Sequence, residues 1–162
     1  MSLTDRVAGD LAATPLTLVS GGQTGVDRAA LDVALERGLP CRGWCPAGRR
    51  AEDGPIDPRY PLRETPSADP AERTAWNVRD SEGTVLLVTA AESPGTELTL
   101  DVARRLGRPV YRGRLDAPPD AGHFHGWLRE HGIRTLNVAG PRESESPGIH
   151  TAARDWLRAV LP

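Results

Sequence analysis

SGGQTGVDRAALD, residues 20–32, stands between a short apolar run, Pro15-Leu16-Thr17-Leu18-Val19, and a helical pattern carried by Val26, Ala29, Ala30, Val33 and Ala34. The apolar run is rich in β-branched residues and ends where the glycines begin, so it reads as a buried strand. The helical pattern stops at Gly38 and Pro40, residues that end helices rather than extend them. The unit is strand, glycine turn, helix. Such a turn gathers backbone N–H groups and the positive end of a helix dipole at one point, which makes a ready anion site. Gly21, Gly22 and Gly25 allow positive φ and close approach of a ligand, while Gln23 and Thr24 add side-chain donors. Asp27 can cap the helix, and Arg28 can add charge beside a phosphate. The alternative is a tight turn that binds nothing, since the stretch matches neither GxGxxG nor GxxxxGK[ST].

Outward from this unit the pattern recurs. Pro40 to Cys45 reads as a second strand, and Pro46 to Pro58 as a loop containing Gly48, Arg49, Arg50, Glu52 and Asp53. A segment so rich in Gly, Pro and charge has little to bury, so a ligand or neighbouring elements must order it. Arg49 or Arg50 can clamp a phosphate facing the glycine turn, or the loop can be self-paired at the surface. Tyr60 to Arg63 is a candidate edge strand at the rim of a cleft. A helix starts at Pro70 and runs through Trp76, Val78 and Arg79, where Asn77, Asp80 and Ser81 serve equally as caps, turn formers or ligand contacts.

Thr84 to Thr89 is apolar throughout, as expected of a parallel strand covered on both faces, and is expected at the centre of the sheet. Ser93-Pro94-Gly95-Thr96 then opens a helix with Leu98, Val102, Ala103 and Leu106 on its inner face. Val110-Tyr111 begins another strand, followed by a helix with Phe124, Trp127 and Leu128. His123, His125 and His131 on or after that helix read as packing or surface residues, because the first two point to different sides. Thr135 to Gly140 is the last strand, and the turn after it brings Arg142 and Ser144 before a final helix over Ile149 to Leu161. This alternation predicts an α/β three-layer sandwich with a mainly parallel sheet, right-handed crossovers and helices on both faces. Ligands of such sheets bind outside the carboxyl ends of the strands, near the switch in strand order, and the glycines at 21–25, 95 and 140 all fall there.

The 162 residues suit one domain, spanning 1–162, with residues 1–14 as a short helix or arm because Leu3, Val7 and Leu11 recur every four positions. All 20 basic residues are arginine, against 22 acidic ones. That balance argues against nucleic-acid or membrane binding through bulk charge, and the absence of lysine excludes a Schiff base. No run approaches a membrane span and the first residues lack a secretory pattern, so a cytoplasmic protein is expected. Cys41 and Cys45 lack the companions of a zinc site and read as packed thiols.

SGGQTGVDRAALD, GRRAEDGPID, NVRDSEGTVLLV, Gly95-Thr96-Glu97-Leu98-Thr99 and TLNVAGPRESESPGI resemble, in order and spacing, the molybdenum carrier family over about Leu16 to Leu161. The resemblance implies a Rossmann-like fold of the superfamily shared with lysine-decarboxylase-like proteins and cytokinin-riboside phosphoribohydrolases. It also implies binding of the molybdenum cofactor or a related phosphorylated ligand, delivery to molybdoenzymes, and assembly as a homo-oligomer, a tetramer in the family. Ala47 stands where the family carries a lysine. The phosphoribohydrolases supply an enzyme alternative through a PGGxGTxxE motif. Pro94-Gly95-Thr96 occupies a similar place, but Thr99 stands where their catalytic glutamate falls, and a hydroxyl cannot replace that acid. A binding protein is therefore expected, with a nucleotide-processing enzyme or a sensor of nucleotide-derived ligands, using Asp27, Glu52 or Asp53 as acid or base, as the alternative.

Overall fold

A computed structural model describes residues 15–90 and 93–162, so the arm read over residues 1–14 lies outside the described residues. The strands are β1 (Thr17–Val19), β2 (Cys41–Arg42), β3 (Trp44–Cys45), β4 (Arg50–Ala51), β5 (Gly54–Pro55), β6 (Arg63–Glu64), β7 (Gly83–Val88), β8 (Val110–Arg114) and β9 (Thr135–Ala139). The helices are α1 (Val26–Arg37), α2 (Pro70–Arg79), α3 (Pro94–Leu106), α4 (Ala121–Glu130) and α5 (Ile149–Val160). β2, β1, β9, β7 and β8, in that spatial order, form one sheet in which every pairing is parallel. The expected sandwich is present: α1, α4 and α5 bury Val26, Ala30, Phe124, Ala153 and Leu157 against one face of the sheet. On the other face lie α2 and α3, through Val78, Val102 and Ala103.

The middle strand is β9 rather than β7. Both are buried strands of the kind a doubly covered parallel sheet requires, so their sequences alone do not rank them. Chain order is displaced because the last strand inserts between the first and the third of this sheet. Crossovers moving toward β2 pass over the α1 and α4 face, and those moving toward β8 pass over the α2 and α3 face, which gives all of them one hand.

The second strand read over residues 40–45 divides in two. Cys41–Arg42 pairs with β1, whereas Trp44–Cys45 leaves the sheet and pairs in parallel with Arg63–Glu64. Gly43 makes the division, since its φ is +154° and a Cβ there would stand 2.0 Å from the Ser20 carbonyl oxygen. The charged loop is not wholly irregular either, because β4 and β5 close a small antiparallel hairpin. The helix ends follow local chemistry. Asp69, Ser93 and Asp120 cap α2, α3 and α4 with side-chain oxygens, proline occupies the first turn of α2 and α3, and left-handed Gly38 and Gly107 end α1 and α3. Cys41 is half-buried and Cys45 buried, both as free thiols, and burial pushes both thiols up in pKa.

Candidate functional site: a cleft at the strand ends

The turns after β1, β7 and β9 converge on a cleft of about 320 Å³. Its walls include Gly21, Gln23 and Asp27 from the first turn, Ser93, Gly95 and Thr99 from the start of α3, and Gly140 and Arg142 after β9. Arg73 and Asn77 of α2 face it from the side. Of the residues expected to contact a ligand, Gly21, Gln23, Asp27, Asn77, Gly95, Gly140 and Arg142 are thus brought together.

Arg73 was not legible as a site residue, yet it lines this cleft. Its side chain is only 13% exposed, and Nη1 donates to Asp27 Oδ2 at 3.1 Å. Its Nε is buried without a hydrogen-bond partner, alone in this among the described side-chain atoms. Gly21 is required for the arrangement: a Cβ there would stand 2.2 Å from Arg73 Nη1, so any side chain would expel the guanidinium from the turn. Asp27 does not cap α1, whose N-cap is Gly25 without a side-chain bond. Its carboxylate turns back to accept from Gln23 N at 3.3 Å and from Arg73. Burial raises its pKa, with the Arg73 charge opposing.

Much of the glycine turn is already paired within the protein. Gly22 N donates to Ser20 Oγ at 3.3 Å, Thr24 N to Gln23 Oε1 at 3.0 Å, and Val26 N to the Pro141 carbonyl at 3.2 Å. Gly22 and Gly25 do take positive φ, 77° and 78°. The turn therefore fits tertiary neighbours: the amides of Gly22, Gln23, Thr24 and Val26 meet protein oxygens, Gly25 lies against the β9–α5 turn, and Gly22 lies against Leu62 and Ile56.

A second, more open cleft of about 770 Å³ lies on the other side of the turn, lined by Thr24, Arg28, Asp53, Ser144 and His150 among others. Here the charges are matched. Arg28 reaches Asp53 through Nη1 at 3.0 Å and Nη2 at 3.2 Å and also donates to the Gly22 carbonyl. Hydrogen bonding from Arg28 holds the Asp53 carboxyl below its usual range. Glu52, at the hairpin tip, accepts from the Thr24 hydroxyl, from Ser144 N at 3.0 Å and from Ser144 Oγ at 2.6 Å, and stands 3.6 Å from Arg142 Nε. Burial alone would raise Glu52; the Ser144 and Thr24 bonds outweigh it and lower its pKa. Asp32 links His150 Nε2 at 2.8 Å to the Tyr60 hydroxyl at 2.5 Å. The hairpin is thus a strap across two glycine turns, and Glu52 and Asp53 line the second cleft rather than the first.

Most of the remaining expected residues have partners within the protein. Arg49 does not face the glycine turn. With φ at +51°, it sends its guanidinium to the carbonyls of Leu62, Asp57 and Tyr60 at 3.0, 3.0 and 3.2 Å, knitting the 56–62 loop. Arg50 is exposed in β4, and Gly48 N donates to Glu64. Asn77, although it lines the first cleft, uses both ends of its amide on the Trp44 backbone, at 2.8 and 3.0 Å, and so holds β3 in place. Asp80 accepts from Arg79 and from Trp44 Nε1, and buried Ser81 donates to the Asn77 carbonyl. Thr96 is buried against the Ser93 hydroxyl, and Thr99 Oγ1 donates to the Gly95 carbonyl at 2.9 Å. Among the described residues no group of histidine, cysteine and carboxylates is placed to hold a metal ion.

Counted from β9 instead of β1, the sheet order β2-β1-β9-β7-β8 becomes 3-2-1-4-5, the order of nucleotide-binding doubly wound sheets, and the first cleft lies at its switch point between β9 and β7. The fold and cleft together define a Rossmann-like α/β ligand-binding architecture whose chain has been cut and rejoined. The chain belongs to the circularly permutated YpsA SLOG family, matching it over residues 18–161. It is similar to the crystal structure of the "Putative molybdenum carrier protein" of Syntrophus aciditrophicus SB, with 39% sequence identity and a TM-score of 0.87 over 92% of this chain and 96% of that one. None of the curated proteins matches the chain. No described helix is long and apolar enough to cross a membrane.

Proposed function

We propose that the chain is a binding protein that carries a small phosphorylated ligand in the first cleft, with the molybdenum cofactor as cargo and molybdoenzymes as its recipients. The carrier name of the similar crystal structure supports the cargo. The observation that carries the reading is Arg73. A buried guanidinium with an unpartnered donor is costly unless an acceptor arrives, and a phosphate is an acceptor that arginine recognises well. Arg142 adds a second cation at the rim, and the start of α3 at Gly95 directs its dipole into the same space. In this reading the anion meets Arg73 and the start of α3, with Gly21, Gln23 and Gly140 shaping the wall. Assembly as a homo-oligomer, carried over from the resemblance, is part of the same reading and is read by light scattering.

Native mass spectrometry of freshly purified protein tests it. Wild type is expected to retain a phosphorylated organic mass, and Arg73→Met to lose it. Equal retention by the variant overturns the assignment. The enzyme alternative keeps one supporting observation, since Asp27, raised by burial, is the kind of carboxyl a general acid requires. Release of free base from nucleoside monophosphates by wild type but not by Asp27→Asn would establish it in place of the carrier.

A further inference from the structure

Asn137 lies at mid-strand in β9, 3% exposed, in the middle strand of the parallel sheet. A polar side chain there is costly unless its hydrogen-bonding groups are used. Val85 and Leu87 of β7 and Leu136 and Val138 of β9 face the α1, α4 and α5 layer. Strand alternation turns Thr84 and Asn137 to the opposite face, and the two are register partners across β7 and β9. Asn137 Nδ2 donates to Thr84 Oγ1 at 3.2 Å, which orients the amide. Its Oδ1 meets no donor among the described residues, and Asn137 forms part of the cleft floor. The pair thus straddles the strands whose divergence creates the cleft.

Above this floor, α2 and α3 present their first turns to each other. Pro70, Ala71 and Thr74 line one wall and Pro94, Leu98 and Thr99 the other, each set one helical turn apart. These largely aliphatic residues offer the face of a planar ring apolar surface on two sides. The volume, about 320 Å³, lies at the small end of ligand pockets and suits one ring system with its phosphate rather than a dinucleotide.

We infer that Asn137 is a specificity-determining residue: its Oδ1, oriented by Thr84, accepts a hydrogen bond from an amino group or ring N–H of a planar heterocycle held between α2 and α3. The inference rests on the phosphorylated-ligand reading above and adds what the ligand carries besides phosphate. A ligand that covers this oxygen without supplying a donor leaves it unpaired and is discriminated against on that ground.

The test is calorimetric titration with three probes: adenosine 5′-monophosphate, purine riboside 5′-monophosphate, which lacks the exocyclic amine, and ribose 5-phosphate. Wild type is expected to prefer the amino-bearing nucleotide over purine riboside 5′-monophosphate by about tenfold. Asn137→Leu is expected to erase that preference while changing ribose 5-phosphate affinity less than about twofold, and Thr84→Val to reduce the preference without erasing it. Thermal denaturation and ribose 5-phosphate binding together verify that each variant is folded. Equal affinity of wild type for the two nucleotides, or a preference unchanged in Asn137→Leu, overturns the role of Asn137 and leaves the phosphate site standing. Failure of wild type to bind any of the three overturns this inference, while the phosphorylated-ligand reading is decided separately by the mass retained in native mass spectrometry.

Discussion

The two clefts flank the same glycine turn, but they dispose of their charges differently. In the second, Arg28 is matched by Asp53, Glu52 by Thr24 and Ser144, and Asp32 by His150 and Tyr60. In the first, Arg73 keeps a buried donor without a partner and Asn137 an oxygen without a donor. The difference separates a charged surface that binds itself from one that has interactions left to make. Charge density in a loop therefore marks the strap, whereas incomplete hydrogen bonding marks the proposed ligand site.

The largest effect expected from breaking this contrast is at Arg73. Arg73→Met leaves Asp27 buried without its cation, and urea denaturation at neutral pH should report a loss of about 3–5 kcal/mol. Because burial raises the folded pKa of Asp27, the folded state binds its proton more readily than the unfolded one. Stability arising from that group is greatest when it is protonated and declines as pH rises from about 4 through the folded pKa. The deficit of Arg73→Met should therefore shrink as pH is lowered toward that value. A deficit that does not depend on pH would mean that the two side chains are not coupled.

Next in size is Arg142→Ala. If its half-exposed guanidinium meets the phosphate, titration with ribose 5-phosphate should show a loss of about 1.5 kcal/mol, roughly tenfold. Arg28→Ala is the matched comparison and should leave that affinity within about twofold, because Arg28 belongs to the second cleft. The reverse order would exchange the roles of the clefts.

Glu52→Ala removes the acceptor that joins the hairpin to Thr24 and Ser144, and should lower stability by about 1 kcal/mol, since water can replace the lost partners. Glu52 and Asp53 are lowered in the folded protein, so their contribution is present above about pH 4 and lost as pH falls through their folded values, the opposite sign to Asp27. Hydrogen exchange at Ser144 N should accordingly quicken in acid relative to the intrinsic rate. The smallest effect belongs to His150→Asn. Its partly exposed pair with Asp32 is worth about 0–1 kcal/mol, and a larger loss of melting stability would mark the second cleft as more than a paired surface.

Local chemistry determined much of this protein. The apolar run of β7, the glycines after β1 and β9, proline and acid at the start of α2, and Gly38 and Gly107 at helix ends each specify their element from within a few residues. The convergence of three strand-end turns on one cleft followed from parallel alternation alone. What only the tertiary structure decided was which donors and acceptors remain free. Whether Arg28 or Arg73 is satisfied depends on carboxylates 25 and 46 residues away in sequence. The place of β9 in the middle of the sheet depends on a strand order that chain order does not reveal. Hydrophobic periodicity is local and can be read along the chain, but hydrogen-bond saturation is a property of partners brought together by the fold.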